Sequence, residues 1–524
     1  MCGVPWTQID SYLDRMLAKG YKVSVAEQVE DPKSAKGLVK RQIVRTYTPG
    51  TLLNSSLLKD KENNYICLIA AHHEEIGIAY VDITTPILTI SQVDKNTLVS
   101  LLSKLMPSEI ILPKSLKEAL ARPLEMLKAI FPFALFTKED SFFDPSQGLA
   151  QIRNQFSTLP LPLSHVAIIA ASYLIQYLNQ MHSSLKHIDT IEVKQDKESL
   201  ILDSTTLHNL EILRPLDKDP KTTLVYHLDQ TKTPMGGRLL RKWLTEPLLD
   251  IGLIEKRQDS VEALVQNPFT LKQLQTSLAF IRDLERLSVR VVSGIANPRD
   301  LNALKHSLSQ LPILKKQMES MPARLLNEQL ENMKDVSMIA VWIEKALVEE
   351  PPYRLGEGKT FKDGYNEKLD ELVAFQKKSN RFLQDFQTRI QQEYGIKNLK
   401  VGYNKVFGYF IEVPKSQGNK MPTLFQRKQT LTNQERFTCE ELADYEQKML
   451  LSTSQITKIE EDLFFNLREK IAEFYKTLVQ ISDAIAIIDV LCSFAQIAIN
   501  DHLLLLFLWV LSFLRIASAF EHLQ

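Results

Sequence analysis

The spacing of apolar side chains changes character several times along this chain, and each change marks a different kind of element. From Ser11 to Lys19 apolar residues recur at helical spacing and Gly20 closes the run; Tyr21 to Val25 then alternates as a strand does. Asp31-Pro32 and Thr48-Pro49-Gly50-Thr51 punctuate the segment as turns, so Met1 to about Leu58 is a short α/β piece. From about Asn63 the runs Tyr65–Ala71, Ile76–Ile83 and Pro86–Ile90, rich in Ile, Val and Tyr, predict strands. Thr97–Met106 predicts a helix, and Glu109–Leu112 a buried strand ended by Pro113. Strands alternating with helices to about residue 190 predict a compact α/β domain.

Between about 200 and 350 the period becomes 3.6, with helices predicted at Thr205–Leu213, Gly236–Leu244, Ile254–Val265 and Phe269–Leu287. Pro215, Pro234, Pro247, Pro268 and Pro298 fall at the breaks. Tyr365–Tyr394 then predicts one long helix, striped by Leu369, Leu372, Val373, Phe382, Leu383, Phe386 and Ile390, and ended by Gly395. A β-rich insert follows from Ile396 to about Phe437, with a hairpin around Asn404–Gly408. A second long helix is predicted from Glu440 to about Tyr475. Two long helices flanking a small β unit make a pair of levers with a head at the tip. No internal repeat interrupts this order.

At 524 residues the chain needs three or four cores. With 24% charged and 44% hydrophobic residues it has a soluble globular composition. A net charge of +0 excludes a uniformly basic nucleic-acid binder but leaves local patches open. Cys2, Cys67, Cys439 and Cys492 form no C-x-x-C pair and are expected to be reduced thiols of a cytosolic protein. The N-terminus shows no charged-then-apolar signal pattern. The run Leu503–Leu514 is too short to span a bilayer and is stopped by Arg515; it is expected to be a non-native or out-of-frame tail.

The β insert changes the electrostatic picture. Ile396–Phe437 holds eight basic residues (Lys397, Lys400, Lys405, Lys415, Lys420, Arg427, Lys428, Arg436) against Glu412 and Glu435, a local charge of 8 − 2 = +6. Asn404, Gln426, Gln429, Thr430, Thr432 and Asn433 add neutral donors suited to phosphate oxygens. Such a patch gives sequence-independent, salt-sensitive affinity for nucleic acid, or is simply a solvated basic face. A second cluster, Lys33, Lys36, Lys40, Arg41 and Arg45, reads more readily as an exposed strand edge. Catalysis has weak candidates. Asp82 lacks the convergent carboxylates that metal-dependent phosphodiester chemistry needs, and reads as a turn cap or strand end. His72-His73 beside Glu74-Glu75 read as solvated loop, and no histidine spacing suggests a metal. No stretch fits G-x-x-x-x-G-K-[ST]; the glycine pair Gly236-Gly237 is followed by Arg238-Leu239-Leu240 and cannot cradle a nucleotide.

Several segments, in order, resemble the MutS family of DNA mismatch-repair proteins. Met1–Pro5, Asp10–Leu13 and Gly20–Pro32 are similar to the later half of its mismatch-recognition domain, and Val44–Thr51 to the end of it. Asp203–Glu211 and Thr233–Trp243 resemble stretches of its helical core; Tyr403–Val413 and Arg427–Phe437 resemble its clamp. The resemblance covers about residues 1–500. It implies a multidomain α/β plus mainly α architecture. Residues 1–58 would be a partial mismatch-recognition domain (domain I) and 59–190 an RNase H-like connector (domain II). Residues 191–365 and 438–500 would be the helical core and levers (domain III), 366–437 the clamp (domain IV), and 501–524 a tail outside the family pattern. It also implies double-stranded DNA as ligand, a homodimer closing two clamps on the duplex, a MutL-type partner, and the bacterial cytosol or nucleoid. Asn404, Lys405, Arg427, Lys428, Asn433 and Arg436 would then touch the DNA backbone, with Lys36, Lys40 and Arg41 as secondary contacts.

Two departures shape the expected function. The family's Phe-x-Glu reader, whose Phe wedges beside a mispaired base, belongs upstream of the segment matched by Met1, and no residue here is expected to replace it. The resemblance fades near Ile497–Asn500, where the family continues into an ATPase using ATP and magnesium. A frame shift or a break in the gene would explain the tail, and a start at an internal Met after a disrupted upstream segment would explain the front end. The chain is therefore expected to keep the DNA clamp and core, with no catalytic residue, metal or cofactor of its own, and to show residual duplex binding at best. The alternatives are a non-catalytic repair scaffold or a non-functional gene remnant, and, more remotely, a nuclease built around Asp82.

Overall fold

Leu13 and Leu17 lie one turn apart on helix α1 (Ile9–Leu17) and are buried against Leu52, which orders the first small core. The computed structural model describes the chain apart from residues 1–2, 6–7, 31–38, 54–57, 74, 141–147, 157, 160–163, 182–184, 195–198, 218, 320, 397, 405–407 and 501–524. Lys36, Lys405 and the apolar run Leu503–Leu514 thus lie outside the described residues. After α1 the chain reverses at Gly20 (φ +78°) into an antiparallel pair, β1 (Val23–Gln28) and β2 (Arg41–Tyr47). The turn at Thr48–Thr51 closes on itself through a reciprocal cap. It also docks on the next domain: Gly50 N–H donates to the buried Glu109 carboxylate at 3.0 Å, and Asn64 Nδ2 donates to Pro49 O at 2.9 Å. A Cβ on Gly50 would stand 2.8 Å from Ile66 Cβ, so only glycine fits there.

The α/β domain holds β3 (Tyr65–His72), β4 (Glu75–Asp82), β5 (Ile87–Val93), β6 (Glu109–Pro113), β7 (Ala134–Lys138) and β8 (Thr190–Val193) in the order β7-β6-β3-β4-β5-β8. β3–β4 and β4–β5 are antiparallel; the other pairs are parallel. Its helices are α2 (Lys95–Leu105), α3 (Lys114–Ala119), α4 (Ala121–Ile130), α5 (Gly148–Gln155) and α6 (His165–Gln180). β3 is apolar at successive positions because both faces are covered. Ile66, Leu68 and Ala70 pack in the core with α6, while Cys67 and Ile69 pack with α2 and α4. Gly77 lets α6 lie on β4, since a Cβ there would come within 2.3 Å of Val166 O.

His187 is fully buried beneath this sheet, its Nε2 donating to Ile83 O at 2.7 Å and its Nδ1 accepting from Ser293 at 3.2 Å. Burial depresses its pKa from 6.5 to about 4. The unfolded chain therefore takes up a proton first as pH falls. Stability linked to neutral His187 is complete above pH 6.5 and is lost down to about pH 4, roughly 3 kcal/mol in all. His187→Gln is expected to flatten the acid limb of a urea-midpoint against pH profile; an unchanged limb would assign it to other groups.

The remaining helices are α7 (Ser204–Asn209), α8 (Leu224–Leu228), α9 (Pro234–Thr245), α10 (Ile251–Gln266), α11 (Pro268–Leu278), α12 (Leu284–Val292), α13 (Pro298–Leu308), α14 (Leu311–Met318), α15 (Arg324–Asn332), α16 (Ser337–Ala346), α17 (Glu367–Tyr394), α18 (Glu440–Ala472) and α19 (Tyr475–Asn500). The chain forms two compact units: one contains the residues up to Ala296, Ala303–Ala340 and the chain from Ile471, the other Asn297–Asn302 and Val341–Lys470. In the first, α19 is the axis around which α9, α10, α11, α12 and α15 pack. By length and composition it would suit a membrane span, but most of it is buried in this core.

Two sequence expectations need correction here. The helix predicted at Thr205–Leu213 stops at Asn209, because Glu211 turns the chain (φ +46°) and its carboxylate accepts from Leu216 N and Thr222 Oγ1. Phe269–Leu287 is two helices, split where Asp283 caps α12 by accepting from Arg286 N. The second long helix ends at Ala472, and α19 starts afresh at Tyr475.

Buried charge holds the short segment between the α/β domain and the first small core. Arg238 on α9 is 4% exposed and forms a two-bond fork with Asp283 (2.7 and 2.8 Å), two bonds to Glu285 (2.6 and 3.2 Å) and one to Asp60 O (2.7 Å). Arg286 donates to Lys59 O at 3.0 Å and Glu62 O at 2.8 Å. Lys61 reaches Asp229 at 2.8 Å. At the start of α9, Asp489 of α19 accepts from Lys232 N, Thr233 N and Thr233 Oγ1.

Candidate nucleic-acid interface

In the second unit α17 starts where Asn366 caps it, accepting from Leu369 N at 3.0 Å, and ends at Gly395 in the left-handed region (φ +63°). Its 28 residues span about 42 Å and the 33 of α18 about 50 Å. Arg389 and Glu441 tie the two together, as do Gln376 with Thr453 and the stacked rings of Phe382 and Tyr445.

Between them lies a sheet of β9 (Lys400–Asn404), β10 (Gly408–Pro414), β11 (Gln426–Thr430) and β12 (Gln434–Thr438), ordered β11-β12-β10-β9. β9 and β10 form the predicted hairpin, with Asn404 opposite Gly408. Alternation sorts the faces. Ile411, Val413 and Phe437 pack with Phe386 and Ile390 of α17 and Leu442 of α18. The opposite face carries a row running Lys400, Glu412, Arg436, Gln429 across the four strands.

That row settles the fate of Arg436. It bonds Glu412 at 3.0 Å and Gln429 at 3.1 Å, and its guanidinium covers the Phe410 ring at 4.3 Å. Phe410 in turn lies over Gly402, where a Cβ would come 2.8 Å from the ring. Arg436 therefore holds this face together. A Phe-x-Glu spacing does recur at Phe410 and Glu412, but a ring 8% exposed beneath an arginine cannot wedge into a base stack. Arg427, half exposed, lies 3.1 Å from Glu435.

Lys428 behaves differently. The register of β11 against β12 slips between Arg427 and Gln429, leaving Lys428 as the extra residue of a bulge on an edge strand. It is exposed, as are Lys400 and Lys415, and none of the three ammonium groups has a carboxylate partner among the described residues. Asn433 is exposed in the β11–β12 turn, its carbonyl accepting from Lys415 N at 3.1 Å. Asn404 is on β9, at the opposite edge from Lys428 and three strand spacings, about 14 Å, away. Of the six residues expected from the sequence, the five described, Asn404, Arg427, Lys428, Asn433 and Arg436, thus do not converge, and Lys405 lies outside the described residues. Lys400 and Lys415, counted there only as charge, are among the least neutralised cations; strand alternation opposite Glu412 could have pointed to Lys400.

Lys40 and Arg41 are exposed at the start of β2, and Lys40 N donates to Glu30. Asp82 is fully buried, its oxygens accepting from Asn64 N, Thr84 N and Thr84 Oγ1, so it fastens a strand end. Among the described residues no cluster of His, Cys, Asp and Glu could hold a metal. Gly236 and Gly237 lie inside α9, tight against Asp489 and Lys61, with no room for a nucleotide.

Comparison with known proteins places these modules. Family models for MutS domain I, MutS domain II and MutS domain III match residues 1–56, 64–189 and 205–495. The chain is similar to the DNA mismatch repair protein MutS of Protochlamydia amoebophila, 39% identical over 506 residues, which is 95% of this chain and 59% of the relative. The protein of the same name from Alkaliphilus oremlandii is 38% identical over 96% of this chain and 58% of its own length. That of Methanosarcina barkeri shows 38% identity with the same coverage. The chain thus spans under three fifths of the relatives it matches.

Proposed function

The chain belongs to the MutS family, and on that premise we propose that it grips double-stranded DNA by the backbone in mismatch repair. The four-stranded sheet is the clamp, and α17 and α18 are the levers that carry it. What supports this is the placement of Lys400, Lys415 and Lys428, exposed and without carboxylate partners among the described residues, on a small sheet between two helices of about 42 and 50 Å. Their ammonium groups suit phosphates, with Asn404, Asn433 and Arg427 as further backbone contacts. Contacts of this kind position a duplex and carry no base information.

Two copies closing two clamps would enclose the duplex, and a MutL-type protein would be the repair partner, in the cytoplasm. The DNA-handling parts act here as a binding device rather than as a catalyst.

The test is fluorescence anisotropy with a 30-base-pair duplex across a salt series. Log K is expected to fall linearly with log salt, with equal affinity for homoduplex and for a single-mismatch duplex. Salt-independent binding would remove the clamp, and a strong mismatch preference would require a base-reading contact that this sheet does not supply.

A further inference from the structure

The edge strand β9 carries an aromatic side chain whose exposure the core does not explain. Tyr403 is 52% exposed at this edge, its side chain on the helix-facing side of the sheet and that of exposed Lys400 on the other, so the edge presents both. It is not a loose surface ring. It pairs with Tyr409 across the hairpin, the ring centroids 4.9 Å apart. Tyr409 meets Tyr445 of α18 edge-on at 5.2 Å, and Tyr445 stacks on Phe382 of α17 at 4.9 Å. A ladder of four rings therefore runs from solvent to both long helices. Its second rung is fixed through the backbone: Tyr409 N–H donates to Glu446 at 3.2 Å. That carboxylate fills the space beside Gly408, where a Cβ would come within 2.0 Å of it and φ is +74°.

We infer that Tyr403 is a neutral contact to the phosphodiester backbone of duplex DNA, its hydroxyl donating to a phosphate oxygen; this rests on the clamp reading above. A tyrosine offers an apolar ring for the sugar face and a single O–H donor, and such side chains share in phosphate contacts with Lys and Arg. Held by the ladder, the ring has little rotamer freedom left to lose on binding. The contact differs from a lysine in a measurable way. Neutralising a phosphate releases counterions and sets the salt slope, whereas a neutral donor adds affinity without changing it.

The experiment uses the whole chain, a 30-base-pair duplex and a potassium chloride series, with Tyr403→Phe, Tyr403→Ala and Lys428→Ala. Tyr403→Phe is expected to weaken binding about tenfold at every salt concentration, as for loss of one hydrogen bond to a charged group. The slope of log K on log salt stays unchanged, and Tyr403→Ala loses at least as much. Lys428→Ala flattens the slope by about 0.9. Wild-type affinity in Tyr403→Phe overturns the inference, even if Tyr403→Ala binds weakly, because the hydroxyl then makes no contact. A flattened slope in Tyr403→Phe overturns it too. If Lys428→Ala leaves the slope alone while Tyr403→Phe loses affinity, the cationic clamp reading falls and the Tyr403 contact stands. A wild-type chain that fails to bind at low salt removes both. Thermal midpoints of the variants, expected within a few degrees of wild type for an exposed side chain, check that the sheet is intact.

Discussion

Arg238→Met is expected to lower the stability of the helical core by about 3–5 kcal/mol, the largest loss from any single substitution considered for this chain. The guanidinium is 4% exposed and supplies donors to Asp283, Glu285 and Asp60 O together. Without it two carboxylates and a carbonyl stay in a buried site with their donor gone, and that desolvation dominates the loss. Arg238→Lys should recover little, since an ammonium cannot reproduce the fork on Asp283 while reaching both other acceptors. Replacing Asp283 and Glu285 by apolar residues along with Arg238 should recover much of it, because the buried charges leave together. Urea unfolding followed by circular dichroism checks this. A shift worth under 1 kcal/mol in the single variant would mean that water enters the site and solvates the carboxylates.

The second large effect concerns DNA. The triple variant Lys400→Ala, Lys415→Ala, Lys428→Ala is expected to weaken duplex binding roughly 10²- to 10³-fold at low salt and to flatten the salt slope by about 2.7, three contacts at 0.9 each. Arg436→Ala should change the slope little, because Glu412 already neutralises that side chain, but should loosen the sheet by uncovering Phe410. Arg427→Ala should fall between, since its partner Glu435 is buried and Arg427 itself is half exposed. Equal slopes for the wild type and the triple variant would move the DNA contact off this sheet.

Much of the local architecture was legible in the residues. Gly395 announced the end of α17 because the left-handed conformation there suits glycine, and Asn404–Gly408 announced the hairpin. Alternation in β10 gave the faces of the sheet. Strand order was not legible. The sequence separates Asn404 from Arg427 by 23 positions and holds no local sign that β9 and β11 occupy opposite edges. Nor did the charge count reveal which cations are already paired, since Glu412 meets Arg436 only through the register of β10 on β12. The split of α11 from α12 was hidden because Ala279–Asp283 contains no proline or glycine and continues the apolar period. Arg238 and Arg286 read as ordinary helical charges; their carbonyl partners lie 178 to 227 residues away in sequence.

Those carbonyl partners bear on how this part of the molecule can move. Connections between domains are commonly drawn as hinges, free to swing because their peptide groups face water. Here Lys59, Asp60 and Glu62 present their carbonyls to buried arginines, and Gly50 presents its amide to buried Glu109. Each joint behaves as a weld. A protease should find Lys59–Glu62 resistant while exposed turns are cut, and the Gly50 amide, bonded to buried Glu109, should exchange slowly with solvent. A load applied at Lys59–Glu62 is then passed through Arg238 and Arg286 into α9 and α12, and one applied at Gly50 through Glu109 into the α/β sheet.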